Sequence, residues 1–210
     1  MDCDLLLFYS TTSEREQLQS VAVELGLPFR RDSHYRLGHY YALGRVGDFE
    51  VVAVRTEMGP LKYGGSASKG LFFKTATPAT AIVQLGMAFG IDPLRQNLGD
   101  VLVSSSLIPY DRRKVISHED HYRFDYTDAE VQPAQSSLLQ MFMREAQKSI
   151  WSFRIHVGTI LSGGTAIYST KFRDELVRAF LPSAEPIVGG EMEAVGLDRF
   201  RRRTIRLGSW

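Results

Sequence analysis

Acidic side chains in two separate parts of the chain are the residues best suited to carry out chemistry. Glu14 and Glu16 closely follow an apolar run from Asp4 to Tyr9, and Glu191 and Glu193 lie much later in the chain. A carboxylate can act as a general base, accept hydrogen bonds from hydroxyl groups, or stabilise a cation that forms beside it. These four glutamates are therefore the first candidates for catalysis or binding.

The segment Glu191-Met192-Glu193 has two interpretations. It is preceded by Gly189-Gly190 and followed by the small residues Ala194 and Gly196, which leave room for close approach to the main chain. This favours a binding element. Acidic residues also occur at helix N-termini, where they complement the macrodipole, so a solvated helix start is the alternative.

The two early glutamates are expected to have different tasks. The apolar run Asp4 to Tyr9 predicts a buried strand, and a polar turn and a helix follow it. Glu14 thus lies where open α/β sheets bind their ligands, beyond the carboxyl end of a strand. Ser13 and Glu16 have the spacing of a capping box. We therefore assign chemistry to Glu14 and helix capping to Glu16.

The polar segment from His118 to Gln135 is predicted to be a long loop. It lacks periodicity and contains Pro133, so it is either a lid or binding segment or a disordered excursion. It begins with His118-Glu119-Asp120-His121, but the two histidines are three apart in a loop with no cysteine nearby. We predict that they are surface residues and that there is no metal site.

The elements that must position these residues alternate between strands and helices. Gly47-Asp48 predicts a hairpin turn. The predicted strands are Asp4–Tyr9, His39–Val46, Phe49–Arg55, Ala79–Leu85, Val101–Ile108 and Ile155–Leu161. The predicted helices are one ending at Gly26, then Gly64–Thr75, Ser136–Lys148 and Lys171–Leu181. This order predicts an α/β fold, a single-domain three-layer sandwich around a mixed, mostly parallel central sheet.

Composition excludes several classes of protein. The 210 residues include 25 Lys or Arg against 24 Asp or Glu, so charge does not favour nucleic acid or an anionic membrane. The single cysteine, Cys3, permits no disulfide within the chain and favours a reducing compartment. No segment has the length of apolar sequence needed for a membrane helix or a secretory signal. We expect a soluble, cytoplasmic protein.

Four segments resemble, in order, the motifs of the nucleoside phosphorylase/nucleosidase superfamily, and the resemblance spans Asp4 to about Leu197. They are Gln84–Ile91 (a strand and a glycine turn), Leu98–Ser104 (Gly-Asp and a strand), Val157–Gly163 (a strand ending in Ser-Gly) and Gly190–Ala194 (the Glu-Met-Glu element). The resemblance is closest to the methylthioadenosine/adenosylhomocysteine nucleosidases. It implies cleavage of the N-glycosidic bond of an adenosine-type purine nucleoside or nucleotide, without a cofactor.

The resemblance also implies roles for individual residues. Glu193 would bind the ribose diol, with Met192 against the sugar and Glu191 beside them, and Glu14 would orient the attacking water. The base would be bound by residues of two segments, Ala88, Phe89 and Gly90 in one and Thr165, Ala166 and Ile167 in the other. Ile167 would supply an apolar contact, whereas Phe89 could equally be a core residue. The family also implies a homodimer or larger oligomer.

Two features leave the activity open. Met87 occupies a position where some relatives carry a small polar residue, and it offers no donor to phosphate, which favours hydrolysis over a phosphorylase reaction. The family continues past Glu-Met-Glu with a helix, a strand and an aspartate that protonates the purine. Residues 198–210 instead look like a basic, divergent tail. We expect an altered C-terminus and weak activity, or an impaired nucleoside-binding or effector module.

Overall fold

The computed structural model describes residues 2–36, 38–118, 121–148, 150–181 and 185–197. These residues divide into two compact units. The first comprises the chain up to Met87 together with the residues from Glu193 onward, and the second comprises Ala88–Met192. The predicted basic tail, and with it the predicted loss of the family's last strand and helix, falls outside the described residues. Within the described part of the chain, no helix is both long and apolar enough to cross a membrane.

The first unit is built on a five-stranded sheet in the order β2-β3-β4-β1-β5. Its strands are β1 (Leu5–Tyr9), β2 (Arg30–His34), β3 (Gly38–Val46), β4 (Phe49–Arg55) and β5 (Ala81–Gln84), and its helices are α1 (Thr12–Glu24) and α2 (Ser66–Ala76). β1 lies between β4 and β5 and is parallel to both, whereas β2, β3 and β4 pair antiparallel. The predicted hairpin is confirmed, and Gly47 makes its turn with φ +59°.

The apolar run of β1 is explained by burial on both faces of this sheet. Leu6 and Phe8 lie in one buried cluster with Val54 and Phe73, while Tyr9 lies in another with Leu43. Successive side chains of a strand point to opposite faces, so a central parallel strand must be apolar at nearly every position.

The second unit contains another five-stranded sheet, in the order β10-β7-β11-β12-β6, and a separate β8–β9 hairpin. The strands are β6 (Phe89–Gly90), β7 (Val101–Pro109), β8 (Lys114–His118), β9 (His121–Asp125), β10 (Gln132–Pro133), β11 (Ile155–Ser162) and β12 (Ile187–Glu191), and the helices are α3 (Ser136–Ala146) and α4 (Thr170–Phe180). β7, β11 and β12 are parallel, whereas β10 and β6 are antiparallel edges.

The predicted α/β class with mixed sheets is confirmed, and parallel pairing is concentrated in the central strands of each sheet. Every predicted strand is present, and its ends lie within two residues of the prediction. The same holds for the three helices whose start and end were both predicted. The prediction of a loop from His118 to Gln135 is wrong in its first part, since β9 lies there. Aromatic rings in this part of the chain pack against α4. The ring centroids of Phe124 and Phe172 lie 6.4 Å apart, and those of Tyr126 and Phe180 lie 5.1 Å apart.

Candidate active site

Glu14 lies in the first turn of α1, and its carboxylate is held by the chain that leaves β1. Oε2 accepts hydrogen bonds from the backbone N–H of Ser10 at 2.7 Å and of Thr11 at 2.9 Å. The Thr11 hydroxyl in turn accepts from the Glu14 N–H at 3.1 Å, which completes a capping box with Thr11 as the N-cap. This arrangement satisfies N–H groups that the helix itself leaves without a partner.

The predicted capping box of Ser13 and Glu16 is therefore wrong. The helix begins at Thr12, so Ser13 already lies inside it and cannot be the N-cap. The Glu16 side chain is 60% exposed and forms an ion pair with the neighbouring Arg15 at 3.1 Å. Glu14 therefore carries out the structural task that the sequence assigned to Glu16.

The second oxygen of Glu14 points toward the turn that follows β5. Oε1 lies 3.4 Å from the backbone N of Met87, a long hydrogen bond that holds the oxygen weakly. Oε2 is thus committed to two short bonds, and Oε1 retains capacity to accept from a further donor. A carboxylate oxygen oriented in this way can take a proton from a water molecule.

Glu193 is a buried acid with a fixed side chain. It is 8% exposed, and its Oε1 accepts the backbone N–H of Gly59 at 3.3 Å. Its carbonyl oxygen accepts the Ser66 hydroxyl at 2.5 Å. A Cβ on Gly196 would overlap the same hydroxyl, so the turn after Glu193 requires glycine there. The Gly59 N–H is thus a donor to the carboxylate, whereas the Ser66 hydroxyl holds the main chain of the same residue.

The alternative of a solvated helix start at this segment is wrong. Glu191 ends β12, and Glu193 directly precedes a single 3₁₀ turn, Ala194–Gly196, that packs against α2. The acids of the segment are therefore not a helix N-terminus in solvent.

The carboxylates of Glu14 and Glu193 contact segments that follow the parallel strands of the first unit. Glu14 follows β1 and reaches Met87, which comes after β5, while Glu193 is bound by Gly59, which comes after β4. β4, β1 and β5 are adjacent and parallel, so their carboxyl ends share one edge of the sheet. This is the edge at which open α/β sheets bind ligands.

In the second unit, the strands that carry or precede three of the predicted segments pair with one another at β12. Gly190 pairs with Phe89 of β6, and Glu191 pairs with Ser162 of β11. Phe89 and the residues where the 163–167 segment begins thus lie on either side of β12, although they are far apart in the chain. The sheet register therefore brings together segments that the sequence could only relate by resemblance.

The base-binding candidates differ in exposure. Ala88, Gly90, Thr165 and Ala166 are exposed, whereas Phe89 and Ile167 are half-buried. The Phe89 ring lies so close over Gly190 that a Cβ there would overlap it, and Ile167 packs against the buried cluster of the second unit. Both apolar residues thus have structural contacts, and their contact with a base stays a prediction.

Tyr110 and Asp111, at the end of β7, are residues that the sequence did not indicate. The Tyr110 hydroxyl donates its proton to the carbonyl of Thr165 at 2.6 Å and shares it with the carbonyl of Gly163 at 3.2 Å. Asp111 Oδ2 accepts the backbone N–H of Gly164 at 2.5 Å. Burial raises the pKa of Tyr110, so its hydroxyl keeps its proton and remains a donor. No local pattern reveals these bonds, which join segments more than fifty positions apart.

Among the described residues there is no cluster of three or more His, Cys, Asp or Glu side chains that could hold a metal ion. Glu119 and Asp120 of the His-Glu-Asp-His segment lie outside the described part of the chain. The expectation of a metal-free, cofactor-free site therefore stays a prediction.

The fold and the motifs agree with a sequence comparison. The profile of the phosphorylase superfamily matches residues 13–197, and the chain belongs to this superfamily. The predicted family is thus confirmed. A comparison with curated protein sequences gives no significant match.

Solved structures of similar fold include nucleosidases and a futalosine hydrolase. A 5'-methylthioadenosine/S-adenosylhomocysteine nucleosidase from Borrelia burgdorferi, described as putative and bound to adenine, has a TM-score of 0.74 at 17% identity, covering 95% of this chain and 81% of its own. The Neisseria meningitidis nucleosidase with methylthio-immucillin-A gives 0.72 at 16%, covering 95% and 80%. A futalosine hydrolase mutant from Helicobacter pylori gives 0.69 at 17%, covering 95% and 83%. Identities this low show that the fold is shared.

Proposed function

We propose that this protein hydrolyses the N-glycosidic bond of an adenosine-type nucleoside or nucleotide. The observation that carries the proposal is the pair of anchored acids, Glu14 and Glu193, on the carboxyl edge of the parallel strands in the first unit. Breaking this bond builds positive charge on the sugar and requires a nucleophile, so one carboxylate must activate water and another must stabilise the cation. The similar structures support the substrate class, since two of those proteins hold adenine or a nucleoside analogue.

Glu14 is the general base in this proposal. Its Oε2 is fixed by the N–H groups of Ser10 and Thr11, which orients Oε1 without blocking it. A base whose geometry is set by the fold loses little entropy when it positions a water molecule. The long contact from Met87 leaves Oε1 able to accept a proton from that water.

Glu193 stabilises the ribosyl cation and accepts hydrogen bonds from the sugar hydroxyls. Its buried charge acts in a medium of low dielectric constant, where it is worth more to a nearby cation than in water. The Gly59 N–H keeps the carboxylate in place, so it need not reorganise as the bond breaks. Glu191 and Met192, which precede it, are assigned to the remaining sugar contacts.

The base is assigned to residues 88–90 and 165–167. Thr165 and Ala166 are exposed and offer main-chain donors and acceptors to a purine edge, while Ile167 and Phe89 offer apolar surface. Ala88 and Gly90 complete the opposite segment. Because adenine has an amino donor at the position where guanine has a carbonyl acceptor, peptide groups can distinguish the two purines.

Hydrolysis and its two alternatives are separated by one set of measurements. The purified protein is incubated with methylthioadenosine, adenosine and adenosylhomocysteine, and released adenine and the sugar product are quantified with and without phosphate. Hydrolysis predicts free ribose or its 5′-substituted form at a rate independent of phosphate. A sugar 1-phosphate that requires added phosphate would establish phosphorolysis instead. Nucleoside binding by calorimetry with no base release would favour an impaired binding or effector module.

A further inference from the structure

Tyr110 and Asp111, which follow β7, hold three consecutive residues of the loop after β11, residues 163–165. The Tyr110 hydroxyl donates its proton to the carbonyl of Thr165 and shares it with that of Gly163, and Asp111 accepts the N–H of Gly164. The Tyr110 ring is fully buried and belongs to the core cluster of the second unit together with Ile108 and Leu161. The loop is therefore attached to a rigid part of the sheet.

Close packing adds to these hydrogen bonds. A Cβ on Gly163 would lie 2.6–2.8 Å from the Tyr110 ring, which means that the ring rests directly on the Gly163 backbone. The Gly163 N–H also donates to the carbonyl of Glu191 at 3.3 Å. One short loop is thus bound to the ends of both β7 and β12.

Two of the three residues that these contacts hold are exposed to solvent. Gly163 is buried under the Tyr110 ring, but Gly164 and Thr165 are exposed, and so is the next residue, Ala166. A surface loop ordinarily needs few specific restraints, because its disorder costs the fold little. Restraints of this kind are expected where a loop must present main-chain groups to a ligand in one geometry.

We propose that Tyr110 and Asp111 are positioning residues that preorganise residues 163–165, so that the adjoining segment 165–167 meets the base in its binding geometry. The inference rests on the proposed base-binding role of that segment. Neither residue touches the reacting atoms. Their loss should weaken binding of the substrate and of the transition state equally, and KM should rise while kcat is retained.

The variants that test this are Tyr110→Phe, Asp111→Ala and Asp111→Asn. Tyr110→Phe removes only the hydroxyl, and Asp111→Asn keeps an oxygen that can accept from Gly164, whereas Asp111→Ala does not. Tyr122→Phe makes the same change on the exposed ring of β9 and serves as the matched control. Each protein is assayed for KM and kcat of base release, for adenine Kd by calorimetry, and for thermal midpoint. Asp111 is exposed, so Asp111→Ala should fold even if Tyr110→Phe does not.

We expect KM and the adenine Kd to rise about tenfold in Tyr110→Phe and Asp111→Ala. We expect kcat to be unchanged, and Asp111→Asn and Tyr122→Phe to resemble the parent protein. A parent enzyme that is active, together with unchanged KM and Kd in both variants, would overturn the inference and leave the proposed function intact. A fall in kcat alone would also overturn it. A parent protein that neither binds adenine nor releases it would overturn both.

Discussion

The backbone N–H of Gly59 donates a hydrogen bond to Glu193 Oε1 across 3.3 Å, although 134 positions separate the two residues in the chain. Gly59 lies in the turn after β4, and Glu193 follows β12. A peptide N–H oriented by the main chain cannot rotate away as a side-chain donor can. The charge of Glu193 is therefore held in place by the fold of the first unit.

Replacing Glu193 by Gln tests the role of that charge. The amide oxygen can still accept from Gly59, so the fold should be retained, but the negative charge beside the ribosyl cation is lost. We expect base release to fall by about 10²- to 10³-fold. The measurement is adenine release under saturating nucleoside, and Glu24→Gln, at the exposed end of α1, is the control. Full activity in Glu193→Gln would contradict the assignment.

Glu14 is expected to show separable structural and catalytic roles. Glu14→Gln retains an oxygen for Ser10 and Thr11 and should keep stability, yet lose about 10²- to 10⁴-fold in rate because an amide is no base. Glu14→Ala also destroys the capping box and should lower the free energy of unfolding by about 1 kcal/mol. Urea unfolding and adenine release are measured in parallel. Glu16→Gln, at an exposed neighbour, should change neither quantity. An active Glu14→Gln would place the base elsewhere.

The buried hydroxyl groups of Ser10 and Thr56 lie at the same edge of the sheet, and we expect them to contribute unequally to stability. Ser10 Oγ and Thr56 Oγ1 lie 2.9 Å apart, and Thr56 Oγ1 also donates to the Tyr9 carbonyl at 3.3 Å. Either hydroxyl could donate in the pair, and we infer that Ser10 does, because this arrangement gives each of the two protons its own acceptor.

Thr56→Val should therefore destabilise more than Ser10→Ala. The first leaves the buried Ser10 hydroxyl without its acceptor and should cost about 1–3 kcal/mol, whereas the second leaves Thr56 bonded to Tyr9 and should cost about 1 kcal/mol or less. Urea unfolding of both single variants and the double variant measures this. Equal costs, or costs that add without coupling, would contradict the proposed direction of the bond.

The pH dependence of stability should have a contribution from Asp100. Hydrogen bonds from the N–H of Asn97, from His156 and from the N–H of Arg154 lower the pKa of Asp100 from its ordinary value of 3.8 to about 2. Since the pKa falls on folding, the ionised group stabilises the fold above pH 3.8, and this contribution is lost as the pH falls toward about 2.

Asp100→Asn should accordingly be less stable than the parent protein near neutral pH. The difference in their free energies of unfolding should narrow as the pH falls from 3.8 toward about 2. Urea midpoints of both proteins at several pH values give the comparison. Asp48→Asn, in the exposed turn between β3 and β4, controls for the change in net charge. A gap that does not change with pH would show that Asp100 acts by shape alone.

The predicted homodimer or larger oligomer can be tested at α2. Leu71 and Phe72 are 44% and 52% exposed, whereas Phe73 is fully buried in the core, so only the first two can meet a partner. We expect light scattering to give a dimer and Phe72→Glu to give a monomer. Phe142→Glu places the same charge on α3, where Phe142 is 42% exposed, and should remain dimeric. A parent protein that is monomeric at working concentration would refute the dimer.

The sequence predicts best where a pattern is local. The strands β1, β4, β7 and β11 are apolar and sit within their sheets, so burial makes their pattern visible. β2 was missed because Arg30–His34 is a polar strand at the edge of its sheet. β9 was missed because its alternating Tyr122 and Phe124 stand among charged residues.

The candidate site is predictable only in part for the same reason. The Glu-Met-Glu segment and Glu14 could be selected from resemblance, but the choice of capping residue depended on where α1 begins, a boundary that shifts easily by one or two residues. Tyr110 and Asp111 carried no signal at all. Their bonds to the loop after β11 arise from sheet pairing, which no short window of sequence contains.

The Tyr110 ring occupies the space that a side chain on residue 163 would need. Evolution could therefore not change these two positions independently. In a lineage where residue 110 becomes small, residue 163 would be released from glycine, whereas any lineage that keeps the tyrosine should keep the glycine. We expect the pair to covary across relatives, with tyrosine at one position excluding every residue but glycine at the other.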